Sequence, residues 1–242
     1  MTTTRLRQIA LVSADIDAVT AALSSELGIQ VAHRDPWVAA FGLQNVVMPI
    51  GQLDFLEVVS PVAENTSAGR YLERNGGDGG YMLIFEADDV GALRQEIEAL
   101  GVRVVQAIED KAHASLQLHP KDCDGIMFEV DSSGEDWLAA GPQWRYCVRT
   151  EAVAGLAAIE FAVAEPAAVA RRWARLTGAD IEGHTLRYTN LLVRLVPLTD
   201  AQAGLRTIHL VRGPECRHQP GDRHRIGGVE FVFMDGDGDT DG

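Results

Sequence analysis

The sequence predicts an α+β fold assembled from repeated βαβββ units, and three observations predict it. One plan recurs three times: an apolar strand, an acidic residue, and a short amphipathic helix closed by glycine. Its copies are residues 8–15 with a helix closing at Leu27-Gly28, residues 82–89 closing at Leu100-Gly101, and residues 158–165 closing at Leu176-Thr177-Gly178. The acidic residues Asp15, Asp89 and Glu165 stand 74 and then 76 positions apart, a period that repeats a small subdomain rather than a solenoid turn. After the helices come alternating apolar and polar runs bounded by Gly and Pro, which is the pattern of a β-meander.

In the first copy the strand and helix are followed by runs at 29–34, 37–43, 45–50 and 53–59, the last ending at Ser60-Pro61. A helical turn around 69–74 and the joint Gly-Gly-Asp-Gly-Gly lead to the second copy. Its helix carries Val90, Leu93, Ile97 and Leu100 at helical spacing, and strands are expected at 103–106, 113–118 and 125–130. A connector at 132–144 precedes the third copy, 155–212. There Pro166 stands at a tolerated first-turn position of the helix, and strands are expected at 185–189, 191–196 and 205–212. A basic loop, a strand at 228–234 and an acidic Gly-rich tail complete the chain. The tail alternates Asp and Gly like half of a calcium loop but has no closing Glu, and is read as disordered.

Composition bounds the partners. With 242 residues, 46% of them hydrophobic, the chain can bury a full core. No run of 18 apolar residues exists, and the opening Met-Thr-Thr-Thr-Arg is not a signal sequence, so a cytoplasmic location is expected. Cys123, Cys147 and Cys216 are odd in number and widely spaced, which fits a reducing compartment better than a disulfide framework. A net charge of −14 argues against nucleic acid or an anionic membrane as a partner, since either needs a basic surface. The local basic stretch Arg217, His218, Arg223, His224 and Arg225 is read as a solvated face. Cys216, His218 and His224 are metal-binding types, but no second Cys pair stands at zinc-finger spacing.

Several segments carry a family resemblance: Leu56-Glu57-Val58-Val59-Ser60-Pro61, the run from Gly80 to Asp89, and His119-Pro120-Lys121-Asp122 followed by Gly125-Ile-Met-Phe-Glu129. In these the chain resembles the vicinal oxygen chelate superfamily, which includes glyoxalase I, extradiol dioxygenases and bleomycin-resistance proteins, and most of all its methylmalonyl-CoA epimerase-like branch. The resemblance implies a glyoxalase-like fold in which two βαβββ modules form one cupped sheet, joined here by a third module and a truncated fourth. The implied organisation is a domain of two paired modules at 1–135, a linker at 136–152, a third, site-less βαβββ module with one extra strand at 153–234, and a disordered tail at 235–242.

In that family the ligands come from the first and last strand of each module, which here implies Gln8, Glu57, Met82 and Glu129. Gln8, Glu57 and Glu129 would hold a divalent metal ion, with Met82 at the fourth position. A thioether suits such hard, oxygen-preferring ions poorly. Glu57 and Glu129 inherit the catalytic roles, removing or returning a proton beside a polarised carbonyl. Without a metal, two carboxylates in an apolar cavity would push one pKa upward, giving an acid and a base; the competing reading pairs one Glu with a buried Arg or Lys. Met82, Trp37, Phe41, Met48 and His119 are candidate pocket residues, Trp37, Phe41 and Met48 because they fall on expected meander strands. His119 and its neighbour Lys121 read equally as parts of a structural turn. The third copy has Ala158 where the others have Gln8 and Met82, and its last-strand counterpart is expected near 206–207.

Two functions stay open. One is a lyase or isomerase acting on a small carbonyl, hydroxy-acid or thioester compound. The other is a metal-free small-molecule binder of the drug-sequestering kind. Retention of both Glu residues favours the enzyme, and the Gln8 and Met82 substitutions favour the binder. A third module without a complete partner leaves an edge to cover, so a homodimer is expected.

Overall fold

A computed structural model describes residues 4–109, 113–132, 137–199 and 203–236. The first module runs β1 (Thr4–Val12), α1 (Ile16–Leu27), β2 (Leu43–Ile50) and β3 (Asp54–Pro61), and α2 (Ser67–Asn75) bridges to the second. The second runs β4 (Gly79–Ala87), α3 (Val90–Ala99), β5 (Val104–Glu109), β6 (Ala114–Leu118) and β7 (Met127–Ser132). Then follow β8 (Val153–Val163), α4 (Pro166–Thr177), β9 (Asp180–Glu182), β10 (Thr185–Arg187), β11 (Leu192–Pro197), β12 (Gly204–Arg212), β13 (Arg223–Ile226) and β14 (Val229–Met234).

The recurring acidic residue has a local task. Asp15 and Asp89 are N-caps whose carboxylates accept from the backbone N–H of Ala18 at 3.0 Å and Ala92 at 2.8 Å, which satisfies donors that a helix start leaves free. Glu165 makes no such bond; Pro166 begins α4 instead. Gly28 and Gly178 end their helices in the left-handed region, at φ 69° in both cases.

The strands form two seven-stranded sheets with orders β2-β3-β1-β4-β7-β6-β5 and β13-β14-β12-β8-β11-β10-β9. In each sheet two first strands run antiparallel at the centre, β1 with β4 and β8 with β12, and each is flanked by the parallel last strand of its own module. Each sheet is therefore a pair of modules. This reassigns β12: read as the last strand of the third module, it is the first strand of a helix-less fourth that also contains β13 and β14. The third module closes earlier, on β11. Alternation alone could not separate these readings, because a strand's module is set by its pairing partners. The second pairing is completed within the chain, so the edge that motivated a homodimer is already covered.

The first module departs from the expected meander. Residues 29–34 hold only an isolated bridge between His33 and Val47, and the run 37–43 contains a 3-10 helix, Pro36–Phe41. Local capping overrides alternation there: Asp35 accepts from the Trp37 N–H at 2.9 Å, Pro36 fixes the first turn, and Gly42 closes it at φ 70°. The tail beyond Gly236 lies outside the described residues.

One apolar core unites the two sheets and helices α1, α3 and α4. Trp173 of α4 packs at its centre, 4.7 Å from the ring of Phe128 on β7 and 5.1 Å from that of Phe161 on β8. Its indole N–H donates to Asp124 at 2.9 Å, so its one polar atom is satisfied inside the joint. Asn190 ties the halves further, donating to the Leu6 carbonyl at 2.7 Å and to Asp54 at 3.1 Å. A second apolar cluster lies on the opposite, cup-side face of the first sheet.

Candidate functional site

Glu57 sits mid-strand on β3, buried, with both oxygens engaged. The Gln8 amide of β1 donates to Oε2 at 2.9 Å, and the Asn45 amide of β2 donates to Oε1 at 2.7 Å. Gln8 is oriented by a third partner, since the Trp137 indole N–H donates to Gln8 Oε1 at 2.6 Å. Indole can only donate, so Oε1 must face Trp137 and the amide nitrogen must face Glu57. Burial pushes the Glu57 carboxyl above its ordinary range, while the Asn45 and Gln8 bonds oppose the rise.

Glu129 lies on β7, three strands from β3 in the order β3-β1-β4-β7. That is about 14 Å across a flat sheet at ~4.8 Å per strand. Gln117 of β6 donates to Glu129 Oε2 at 2.6 Å. Burial, and next the Asp131 carboxylate two residues along the same face, push Glu129 well above the usual carboxylate range. Repulsion from Glu57 adds to this, so the two carboxylates feel one another across the cup.

Met82 of β4 is buried in the cup-side cluster with Val47, Phe55, Trp137 and Trp144. The connector expected as a plain linker thus fills the cup. Its 3-10 turns Leu138–Ala140 and Trp144–Cys147 follow β7. Trp137 stacks on Phe55 at 6.3 Å, and Trp144 meets the same ring edge-on at 5.0 Å. A register shift between Leu6 and Gln8 accompanies a further cup residue, Arg7, whose guanidinium lies 5.5 Å from the Phe55 ring and 5.4 Å from Trp137. Arg7 pairs with Glu86 at 3.3 Å, and burial lowers its pKa.

The remaining pocket expectations separate. Met48 is fully buried, but in the core shared with the second sheet. Strand parity places Val46, Met48 and Ile50 on that side, leaving Asn45 and Val47 for the cup. Trp37 is 80% and Phe41 54% exposed on the 3-10 helix, so neither forms a cavity wall. His119 caps a 3-10 turn, accepting from the Lys121 N–H at 3.2 Å, with Arg103 3.4 Å from the same ring nitrogen; this is the turn reading. Asn45, Gln117, Asp131, Arg7 and Trp137 escaped the sequence reading. For Asn45 the period-two parity with Val47 was the available signal; for Trp137 there was none.

As they stand, Gln8 and Met82 are poor partners for a metal ion, while Glu57 and Glu129 keep lone pairs that one could use. The only oxygen Gln8 could offer is held by Trp137, its nitrogen points at Glu57, and both Glu57 oxygens already accept from neutral amides. Met82 adds only a thioether.

The second sheet repeats the geometry with other chemistry. Glu57 stands opposite Ala10 and Glu129 opposite Ile84, two residues beyond Gln8 and Met82. Two residues beyond Ala158 is Glu160, opposite Arg194. The third copy's counterpart of the two glutamates is therefore Arg194 on β11, not the pair at 206–207. Thr207 takes the first-strand position of the fourth module, and Val232, opposite His209 of β12, takes its last-strand position. None of these four is a carboxylate or imidazole. Glu160 and His209 instead meet each other at 3.1 Å.

Paired βαβββ modules, with polar side chains gathered from their first and last strands, define a glyoxalase-like protein. A family model described as a glyoxalase-like domain matches residues 8–177, and the chain belongs to that family. An ethylmalonyl-CoA/methylmalonyl-CoA epimerase of Cereibacter sphaeroides is 29% identical over 132 residues, 52% of this chain and 96% of that protein. The human mitochondrial methylmalonyl-CoA epimerase is 24% identical, over 53% of this chain and 74% of that protein. A solved Streptomyces coelicolor methylmalonyl-CoA epimerase (S115T), in complex with 2-nitronate-propionyl-CoA, superposes with a TM-score of 0.50 at 25% identity, covering 56% of this chain and 97% of that one. A 4-hydroxymandelate synthase mutant from the same organism covers 87% of this chain and 71% of its own at a TM-score of 0.67 and 16% identity, a likeness of fold spanning both sheets. These relatives are enzymes. Among the described residues no helix is long and apolar enough to cross a membrane.

Proposed function

We propose that the first sheet is a proton-transfer site of the isomerase type, acting at a carbon next to the carbonyl of a small thioester, hydroxy-acid or carbonyl compound. The observation that carries this reading is the carboxylate pair held in two different environments. Glu57 accepts from two amides, which oppose the rise that burial imposes and leave it the more readily ionised of the two, suited to remove a proton. Glu129 faces Asp131 and is biased toward its protonated form, which suits it to donate a hydrogen bond to the oxygen of the enediolate as charge develops there. The same proton, or one from Glu129, then returns to carbon. The epimerase relatives, which match about half of this chain, support a thioester as the first substrate to try. The reading requires the connector to withdraw, breaking the bond from Trp137 to Gln8.

The test is deuterium wash-in. Methylmalonyl-CoA is incubated with the protein in D2O, and loss of the α-proton is followed by NMR. Exchange above the protein-free rate, lost in Glu57→Gln, is the expected result. Exchange at the protein-free rate for both proteins would overturn the reading.

A second reading, metal-free binding of an aromatic small molecule, is favoured by one particular observation. The cup already accommodates two indole rings around Phe55, so a planar ligand could take the place of Trp137. Saturable quenching of tryptophan fluorescence by such a ligand, without chemical change in it, would favour this reading.

A further inference from the structure

Away from the cup, three metal-ligating side chains from opposite ends of the chain meet. Glu26 lies in the last turn of α1, His218 in the loop after β12, and His224 on β13. Glu26 and His218 are 192 positions apart in sequence. Glu26 Oε2 is 3.5 Å from His218 Nε2 and 3.5 Å from His224 Nδ1, and the three atoms all lie within 4.8 Å of one another. Ligand atoms around a tetrahedral ion with bonds of about 2.0–2.1 Å stand roughly 3.3 Å apart. The spacing is therefore close to that of a coordination sphere.

We propose that Glu26, His218 and His224 form a binding site for a divalent transition metal of the Zn²⁺, Co²⁺ or Ni²⁺ kind, clipping α1 of the first sheet's modules to the second sheet. Two imidazoles and one carboxylate suit these ions and not Mg²⁺, which prefers oxygen ligands throughout. Three protein ligands leave a fourth position for water. The site is also built. His218 is buried and stacked on Phe233 at 4.2 Å, and the two imidazoles pack edge to face at 4.4 Å, so two of the three ligands are held before any ion arrives.

Three contacts oppose the ion. Arg217 donates to the same Glu26 oxygen at 2.8 Å, and its Nε approaches His218 Nε2 at 3.4 Å; its side chain, 62% exposed, can swing into water when a cation takes its place. His218 Nε2 lies 3.0 Å from the Glu26 carbonyl, so binding requires its proton to move to Nδ1 and gives up that hydrogen bond. Affinity on the order of micromolar is therefore expected rather than that of a closed four-ligand site.

The test uses the full chain without an affinity tag, stripped with EDTA and titrated calorimetrically with Zn²⁺. One ion per chain is expected. At a hundredfold excess over Kd the thermal midpoint should rise by roughly 5–10 °C, and Co²⁺ should give the visible absorption of a tetrahedral centre. His224→Gln, at a half-exposed strand position, should weaken binding at least about tenfold without unfolding the protein, as should His218→Gln if it folds. Arg217→Ala should retain or strengthen binding, and Glu57→Gln, in the cup, should leave it unchanged. Absence of saturable binding, indifference to His224→Gln, or loss of binding in Glu57→Gln would overturn the site and leave an ion-pair clamp around Glu26.

Discussion

The two sheets share one topology and differ in what fills and lines their cup-side faces. In the first, Glu57 is buried and Glu129 half-buried, both with amide partners, and the connector tryptophans pack into the apolar cluster on the same face. In the second, the equivalent positions hold Ala158, Arg194, Thr207 and Val232. The backbone pairing that gathers four side chains is thus independent of their chemistry. Hydrogen-bond ladders and the shared core maintain the sheet, so the positions between them are free to diverge.

The largest effect that would test this difference is on exchange chemistry. Glu57→Gln should lower deuterium wash-in by roughly 10²–10⁴-fold, the usual worth of a positioned general base. Arg194→Gln, at the matching place in the second sheet, should leave the rate within about twofold, as distant sites act independently. Equal losses would mean that both sheets contribute to one reaction.

Stability should separate the two faces next. Trp137→Ala removes a fully buried ring and its bond to Gln8, and should cost about 3–5 kcal/mol in urea unfolding. Thr207→Ala on the other sheet should cost about 1 kcal/mol. A small loss for Trp137→Ala would show that the connector is only loosely lodged, which would favour an opening cup.

The pH dependence is subtler. A carboxyl whose pKa is raised on folding binds more protons in the native state, so it lowers stability as pH rises above its unfolded value, about 4.3, and through its elevated native value. Burial and Asp131 raise Glu129 in this way. Wild-type stability should therefore carry a declining component above that pH, and Glu129→Gln should flatten it. Urea midpoints between about pH 5 and 8 check this, and an unchanged slope would show that Glu129 is ordinary.

The smallest expectation is a null one. Met82→His supplies the imidazole that the superfamily pattern has at this strand position, yet the Gln8 oxygen still accepts from Trp137 and its nitrogen still faces Glu57. In a His224→Gln background, Ni²⁺ calorimetry should find no new site. A tight one would show that the connector yields to a metal.

The sequence by itself determined the repeat, the helices and the central strands. Those rest on short-range physics: Asp15 and Asp89 capping the helix that follows, Gly28 and Gly178 closing it, and apolar periodicity of 3.6 or 2. It also singled out Gln8, Glu57, Met82 and Glu129, because the resemblance fixes strand positions. Only the tertiary structure decided that β12 opens a fourth module, that Met48 faces away from the cup while Asn45 faces into it, and that Trp137 lies on Gln8. It also brought His218 and His224 to Glu26. Each of these depends on which strand pairs with which, and on contacts between residues far apart in the chain. Such pairing and long-range packing leave no local periodicity to read, because the free energy that selects them comes from burying surfaces together after the local elements have formed.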